Sequence, residues 1–200
     1  RKGRLRRWVS WGLVAAVVGV VGYGLRPRPV EVETVLVTRG PLTVHVVEEG
    51  LNGRTTTWED PFEPGRNGRA YLLPCLRSHA PVAVVVIMLG TNDLKAIHRL
   101  DPPQIAQGAG ALVRVAHESL AGPDDGPPAV LLVAPPPLGE VTGAAELWGF
   151  GAAREASRRL APLYREAAAQ AGAAFLDAGA LVSVDPADGV HLAAAAHGVL

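Results

Sequence analysis

The chain holds a single cysteine, Cys75, in 200 residues, so no internal disulfide can form and thiols say nothing of the compartment. Its 19 basic and 19 acidic residues cancel, which leaves no net field to draw in nucleic acid or an acidic partner. Aromatic residues are 5% of the chain against 48% apolar residues, so a core has to be built mainly from Val, Leu and Ala. Serine is scarce too. Ser10, Ser78, Ser119, Ser157 and Ser183 are the whole set, and none follows a Gly-Asp pair or sits in a strand-to-turn context. No internal repeat is evident, and the length suits one domain with an appendage.

What is present is unevenly placed. Arg1, Lys2, Arg4, Arg6 and Arg7 precede an apolar stretch at residues 8–25. Those 18 residues would make roughly 27 Å of helix at about 1.5 Å each, close to the roughly 30 Å of hydrocarbon in a bilayer. The pattern predicts a single-pass anchor in the inner membrane, with the N-terminus cytoplasmic and the rest extracytoplasmic. Trp8 and Trp11 would sit at the interface. A cleaved signal peptide is the competing reading, but it lacks an Ala-x-Ala site. The first residue is Arg rather than Met, so a start further upstream is expected. Arg26-Pro27-Arg28-Pro29 cannot continue a helix and reads as a stiff linker.

Apolar and polar residues alternate at 30–38 and recur at 42–47 after Arg39-Gly40-Pro41, which predicts a β-hairpin. Residues 48–70 are rich in Gly, Asn, Thr and Pro, as a functional loop is, and a short helix is expected at 71–79. The unbroken apolar run at 82–89 predicts a strand covered on both faces. Asp101-Pro102-Pro103-Gln104 has the form of a capping box opening a helix to about residue 121, with Ile105, Ala109, Leu112 and Ala116 on its buried face. After a break at 122–128 come a strand at 129–134, a long helix at 144–171 bent at Pro162, a strand at 173–177, and a helix beginning near Leu192. Alternating strands and helices predict a parallel sheet with helices on both faces and its site at the carboxyl ends of the strands.

Two clusters fall at such ends. Gly90-Thr91-Asn92-Asp93 follows the run at 82–89, and Asp188-Gly189-Val190-His191 puts an acid three residues before a base. An amide presented at a strand end and an Asp–His pair are what acyl transfer requires. His79, His98, His117 and His197 have no metal-ligand spacing, His45 reads as a strand residue, and all are expected to be solvated or packed. Thr55, Thr56 and Thr57 lie near the expected site without any sign of an activated hydroxyl.

Residues 48–200 resemble the SGNH, or GDSL-type, hydrolases, and among them the arylesterase and acyltransferase-like members. Four blocks carry the resemblance in order: Glu48-Glu49-Gly50-Leu51-Asn52-Gly53-Arg54-Thr55-Thr56, Val86-Ile87-Met88-Leu89-Gly90-Thr91-Asn92-Asp93, Val133-Ala134-Pro135-Pro136-Pro137-Leu138 and Asp188-Gly189-Val190-His191. It implies a flavodoxin-like α/β fold and hydrolysis or acyl transfer of small carboxylic esters, with no metal or organic cofactor. It makes His191 the base, Asp188 its orienting acid, and Asn92 and Gly53 the oxyanion donors, Gly53 being preferred to Gly50. The family's Gly-Asp-Ser block has no counterpart, so the resemblance leaves the nucleophile missing, the first strand absent and the domain inactive.

Residues 1–50 separately resemble the N-terminus of HlyD-type periplasmic adaptor subunits, through the basic tail, the span, Arg26-Pro27-Arg28-Pro29-Val30-Glu31-Val32 and Thr38-Arg39-Gly40-Pro41-Leu42-Thr43-Val44. The expected division is an anchor and linker at 1–29, a hairpin-like adaptor segment at 30–47 and a partial hydrolase at 48–200. Val46-Val47-Glu48-Glu49-Gly50 fits either family and is the expected junction. The alternative function is a membrane-anchored adaptor fragment with a passenger domain.

Overall fold

The computed structural model describes residues 45–200. The expected span at 8–25 and strand at 30–38 lie outside the described residues. Of the second expected strand only residues 45–47 are described, and they are not in a strand.

Three parallel strands, β1 (Val84–Ile87), β2 (Ala129–Ala134) and β3 (Ala174–Asp177), make a sheet in the order β1-β2-β3. The helices among the described residues are α1 (Gly68–Ser78), α2 (Pro102–Glu118), α3 (Arg154–Arg158), α4 (Leu160–Ala171) and α5 (Ala194–His197). Val85 and Ile87 stand in register with Val130 and Leu132, and Leu132 with Phe175. This row meets α2 and α4, which pack on each other and on the sheet. Ile105, Leu112, Val113, Leu132 and Leu160 are at most 1% exposed, and burying each contributes about 2 kcal/mol.

α2 forms as its sequence predicts. The Asp101 side chain accepts from the Gln104 N–H, and the Gln104 side chain accepts from the Asp101 N–H, with proline in the first turn. The predicted face Ile105, Ala109, Leu112 and Ala116 is buried throughout.

Three expectations need correction. Helix α1 starts at Gly68 rather than Tyr71, because the Asn67 side chain caps the Arg69 and Ala70 N–H groups. The long helix at 144–171 is broken, and Pro162 is not the cause. Gly149 takes φ 91° inside a distorted turn at Glu146–Phe150, and helical structure resumes at Arg154 and again at Leu160. Pro162 sits in the first turn of α4, where a missing N–H costs nothing. The strand expected at 82–89 shrinks to Val84–Ile87 and is covered on one face only. Val84 is 56% and Val86 61% exposed, while Val85 and Ile87 are buried. An unbroken apolar run does not distinguish these cases, since the described helices on the sheet lie against the Val85–Ile87 face alone.

Candidate functional site

The loops that leave the carboxyl ends of the strands are tied to each other by backbone and side-chain bonds. After β1 the chain passes through Leu89, whose carbonyl accepts from the Tyr164 hydroxyl at 2.8 Å. Burial pushes that phenol well above its ordinary value, so it serves as a neutral donor. A Cβ at Gly90, where φ is 116°, would strike this hydroxyl, so only glycine carries the chain past Tyr164. The next residues form a 3-10 turn, Asn92–Leu94.

Asp93 is fully buried in that turn. Its carboxylate accepts from the Thr56 N–H at 3.0 and 3.1 Å and from the Thr56 hydroxyl at 2.5 Å. Burial pushes its carboxyl up, and the Thr56 bonds pull it partly back. This joint fixes residues 53–57 against the turn. Asn92 then donates through Nδ2 to the Arg54 carbonyl at 3.2 Å, which keeps its second amide hydrogen free for a ligand. Gly53, the residue before Arg54, is buried, and among the described residues its N–H makes no hydrogen bond. The structure thus ties Asn92 to the residue that follows Gly53. Gly50 is exposed and lies before this turn.

Asp188 and His191 meet directly. His191 Nδ1 lies 2.6 Å from Asp188 Oδ2, while Asp188 Oδ1 accepts from the N–H groups of Val190 at 2.8 Å and His191 at 2.9 Å. The His191 ring and these two N–H groups hold the Asp188 carboxyl down at about 2. With Nδ1 bound to a carboxylate it carries the proton, so Nε2 keeps its lone pair on an imidazole side chain that is 58% exposed. The loop is anchored on both sides. Asp185 N–H donates to the His191 carbonyl at 2.7 Å, and Gly139 N–H reaches the Gly189 carbonyl at 2.9 Å. Thr142 donates to the carbonyls of Ala187 and Asp188, which bolts the segment after β2 to the Asp–His turn.

A relay of contacts joins the Asn92 turn to the Asp–His turn. Ala96 N–H donates to the Gly149 carbonyl at 3.0 Å, and the ring of neighbouring Trp148 meets the His191 ring edge-on at 6.0 Å. Sequence reasoning missed Trp148 and gave Asp93 no task. Trp148 lay inside the expected long helix, and the signal against that helix was Gly149 and Gly151 beside it. A cavity of about 420 Å³ opens beside the same loops, lined by Pro137, Glu140, Thr142, Arg158 and Ser183 among others. It takes in neither Asn92 nor His191.

The described serines are engaged elsewhere or set apart. Ser157 donates to the Arg154 carbonyl and accepts from Leu138 N–H. Ser119 closes the end of α2, and Ser78 donates to the Cys75 carbonyl. Among the described residues no hydroxyl is hydrogen-bonded to His191. Thr55 and Thr56 spend their hydroxyls on the Trp58 carbonyl and Asp93.

The sequence matches the GDSL-like lipase/acylhydrolase family over residues 16–199. No curated protein matches it. Among solved structures it is similar to the native aryl esterase of M. smegmatis, at 39% identity and TM-score 0.73, covering 78% of this chain and 73% of that one. A carbohydrate acetylesterase from Sinorhizobium meliloti is similar at 41% identity and TM-score 0.71, over 76% and 72% of the two chains. The M. smegmatis enzyme is also known in an inhibitor-bound form.

Proposed function

Because this chain belongs to the GDSL-like lipase/acylhydrolase family, we propose that it carries the acid–base and oxyanion half of an esterase site for short carboxylic esters, without a serine nucleophile. The observation that carries the reading is the 2.6 Å bond from His191 to Asp188, which leaves Nε2 as an exposed base. In this reading His191 Nε2 takes a proton from the attacking group and Asp188 holds the tautomer and steadies the imidazolium. Asn92 Nδ2 and Gly53 N–H face the developing oxyanion. The chemistry calls for no metal or organic cofactor.

Residues 16–47, which the family match includes, hold no serine, and the described serines do not reach His191. Removing a triad serine costs about 10⁶ in turnover and leaves roughly 10³–10⁴ over water. Hydrolysis of an aryl acetate by the full chain is therefore expected to be slow and to start without a burst. His191→Ala is expected to lower the remaining rate further. A burst of one product per chain would reveal an acyl-enzyme and refute the reading.

The basic tail and the apolar stretch at 8–25 support placing the domain on the extracytoplasmic side of the inner membrane. Extraction by alkaline carbonate tests this, since an anchored chain stays in the pellet and an unanchored one is released. Among the described residues no helix is long and apolar enough to cross a membrane.

A further inference from the structure

We propose that Glu49, Cys75 and His79 form a three-ligand site for Zn²⁺, built from none of the residues assigned to ester chemistry. One donor atom from each residue lies within 4.8 Å of the other two. Zn–S bonds of about 2.3 Å and Zn–N and Zn–O bonds of about 2.0 Å put tetrahedral donors about 3.3–3.5 Å apart. Closing the cluster onto an ion thus takes a movement of about 1 Å. Rotation of the exposed Glu49 and His79 side chains can supply it.

Neighbouring groups already hold His79 and Glu49 in place. Cys75 and His79 are four residues apart at the end of α1 and share a face, with Sγ 3.8 Å from Nδ1. His79 Nδ1 lies 2.9 Å from the Cys75 carbonyl. A carbonyl only accepts, so Nδ1 holds the proton and Nε2 has the lone pair a metal needs. Nε2 is 3.8 Å from Glu49 Oε1. The other Glu49 oxygen accepts from the Tyr71 hydroxyl, and the Tyr71 ring is covered by the Arg54 guanidinium, 4.0 Å from its centre. The spacing of Cys75 and His79 alone did not announce a site, because the third ligand comes from a segment well upstream.

A thiolate, an imidazole and a carboxylate suit zinc, whereas Mg²⁺ and Ca²⁺ take oxygen donors. Three protein ligands leave a fourth position for water. Coordination requires the thiolate, so each ion bound sends the Cys75 proton to solvent. The bound ion would staple the segment leading into Gly53 to helix α1.

The test titrates the full chain with Co²⁺ as a spectroscopic probe and then with Zn²⁺. The expected result is one Co²⁺ per chain with a thiolate-to-cobalt charge-transfer band, displaced by Zn²⁺, and protection of Cys75 from iodoacetamide when Zn²⁺ is present. Cys75→Ser abolishes the band, and His79→Gln and Glu49→Gln each weaken Zn²⁺ binding at least tenfold, with unchanged circular dichroism in all three. The protection measurement uses the unmodified chain, so it decides the matter even for a variant that fails to fold. Absence of the band and of protection would overturn the proposal, as would Zn²⁺ affinity that is unaffected by both His79→Gln and Glu49→Gln.

Discussion

At Asp188 a carboxyl whose ordinary value is 3.8 is held at about 2, first by the His191 ring and then by two backbone N–H groups. The folded value lies below the unfolded one, so the native state binds fewer protons between them. The contribution to stability is therefore full above about pH 4 and is lost as pH falls toward 2. Carboxyl NMR should give an Asp188 midpoint near 2 in the folded chain, and His191→Ala should move it upward, since the largest cause is removed. A midpoint that stays put in that variant would show that the ring does not bind the carboxylate. Asp93 is a stronger structural test. Asp93→Ala strands the Thr56 N–H and hydroxyl in a buried place and should cost about 3 kcal/mol, read as a lower urea midpoint. The sequence made Asp188 and His191 legible because three residues of spacing close into one turn. Asp93 escaped because its partner Thr56 is far off in the chain, and no local pattern records such a bond.

Elements whose signals are local came through the sequence best. The capping box at Asp101 and Gln104 and the apolar face of α2 stand where the pattern places them. Asp101→Ala should cost about 1 kcal/mol in chemical unfolding, because the Gln104 N–H loses its acceptor. Gly149 was the opposite case, since a helical composition masked a residue that leaves helical backbone altogether. The turn between Asp188 and His191 depends on Gly189, which has φ 74° and would drive a Cβ into the Glu140 carbonyl. Gly189→Ala should therefore displace the turn, and the downfield proton of the His191–Asp188 bond should vanish from the NMR spectrum while the fold persists. Retention of that signal would mean that the segment after β2 does not position the pair.

Across the described residues, the parallel sheet was legible from the alternation of strands and helices. The one-sided covering of β1 was not, because composition records that a strand is apolar and not what lies on it. Val84, Val86 and Met88 leave an exposed apolar face on the described domain, at 56%, 61% and 41%. Val86→Lys should lower binding of a hydrophobic dye and leave stability within about 0.5 kcal/mol, the range of exposed substitutions. A loss of several kcal/mol would show that the face is covered in solution.

The proposed function is an esterase framework in which His191 would serve as base and Asn92 and Gly53 as oxyanion donors, without a serine nucleophile. Intact-mass analysis after incubation with a fluorophosphonate addresses it most directly, because the probe marks an activated serine whatever the substrate. An unmodified mass is expected under conditions that fully label an active relative. A single stoichiometric adduct on any serine of this chain, lost in His191→Ala, would contradict it.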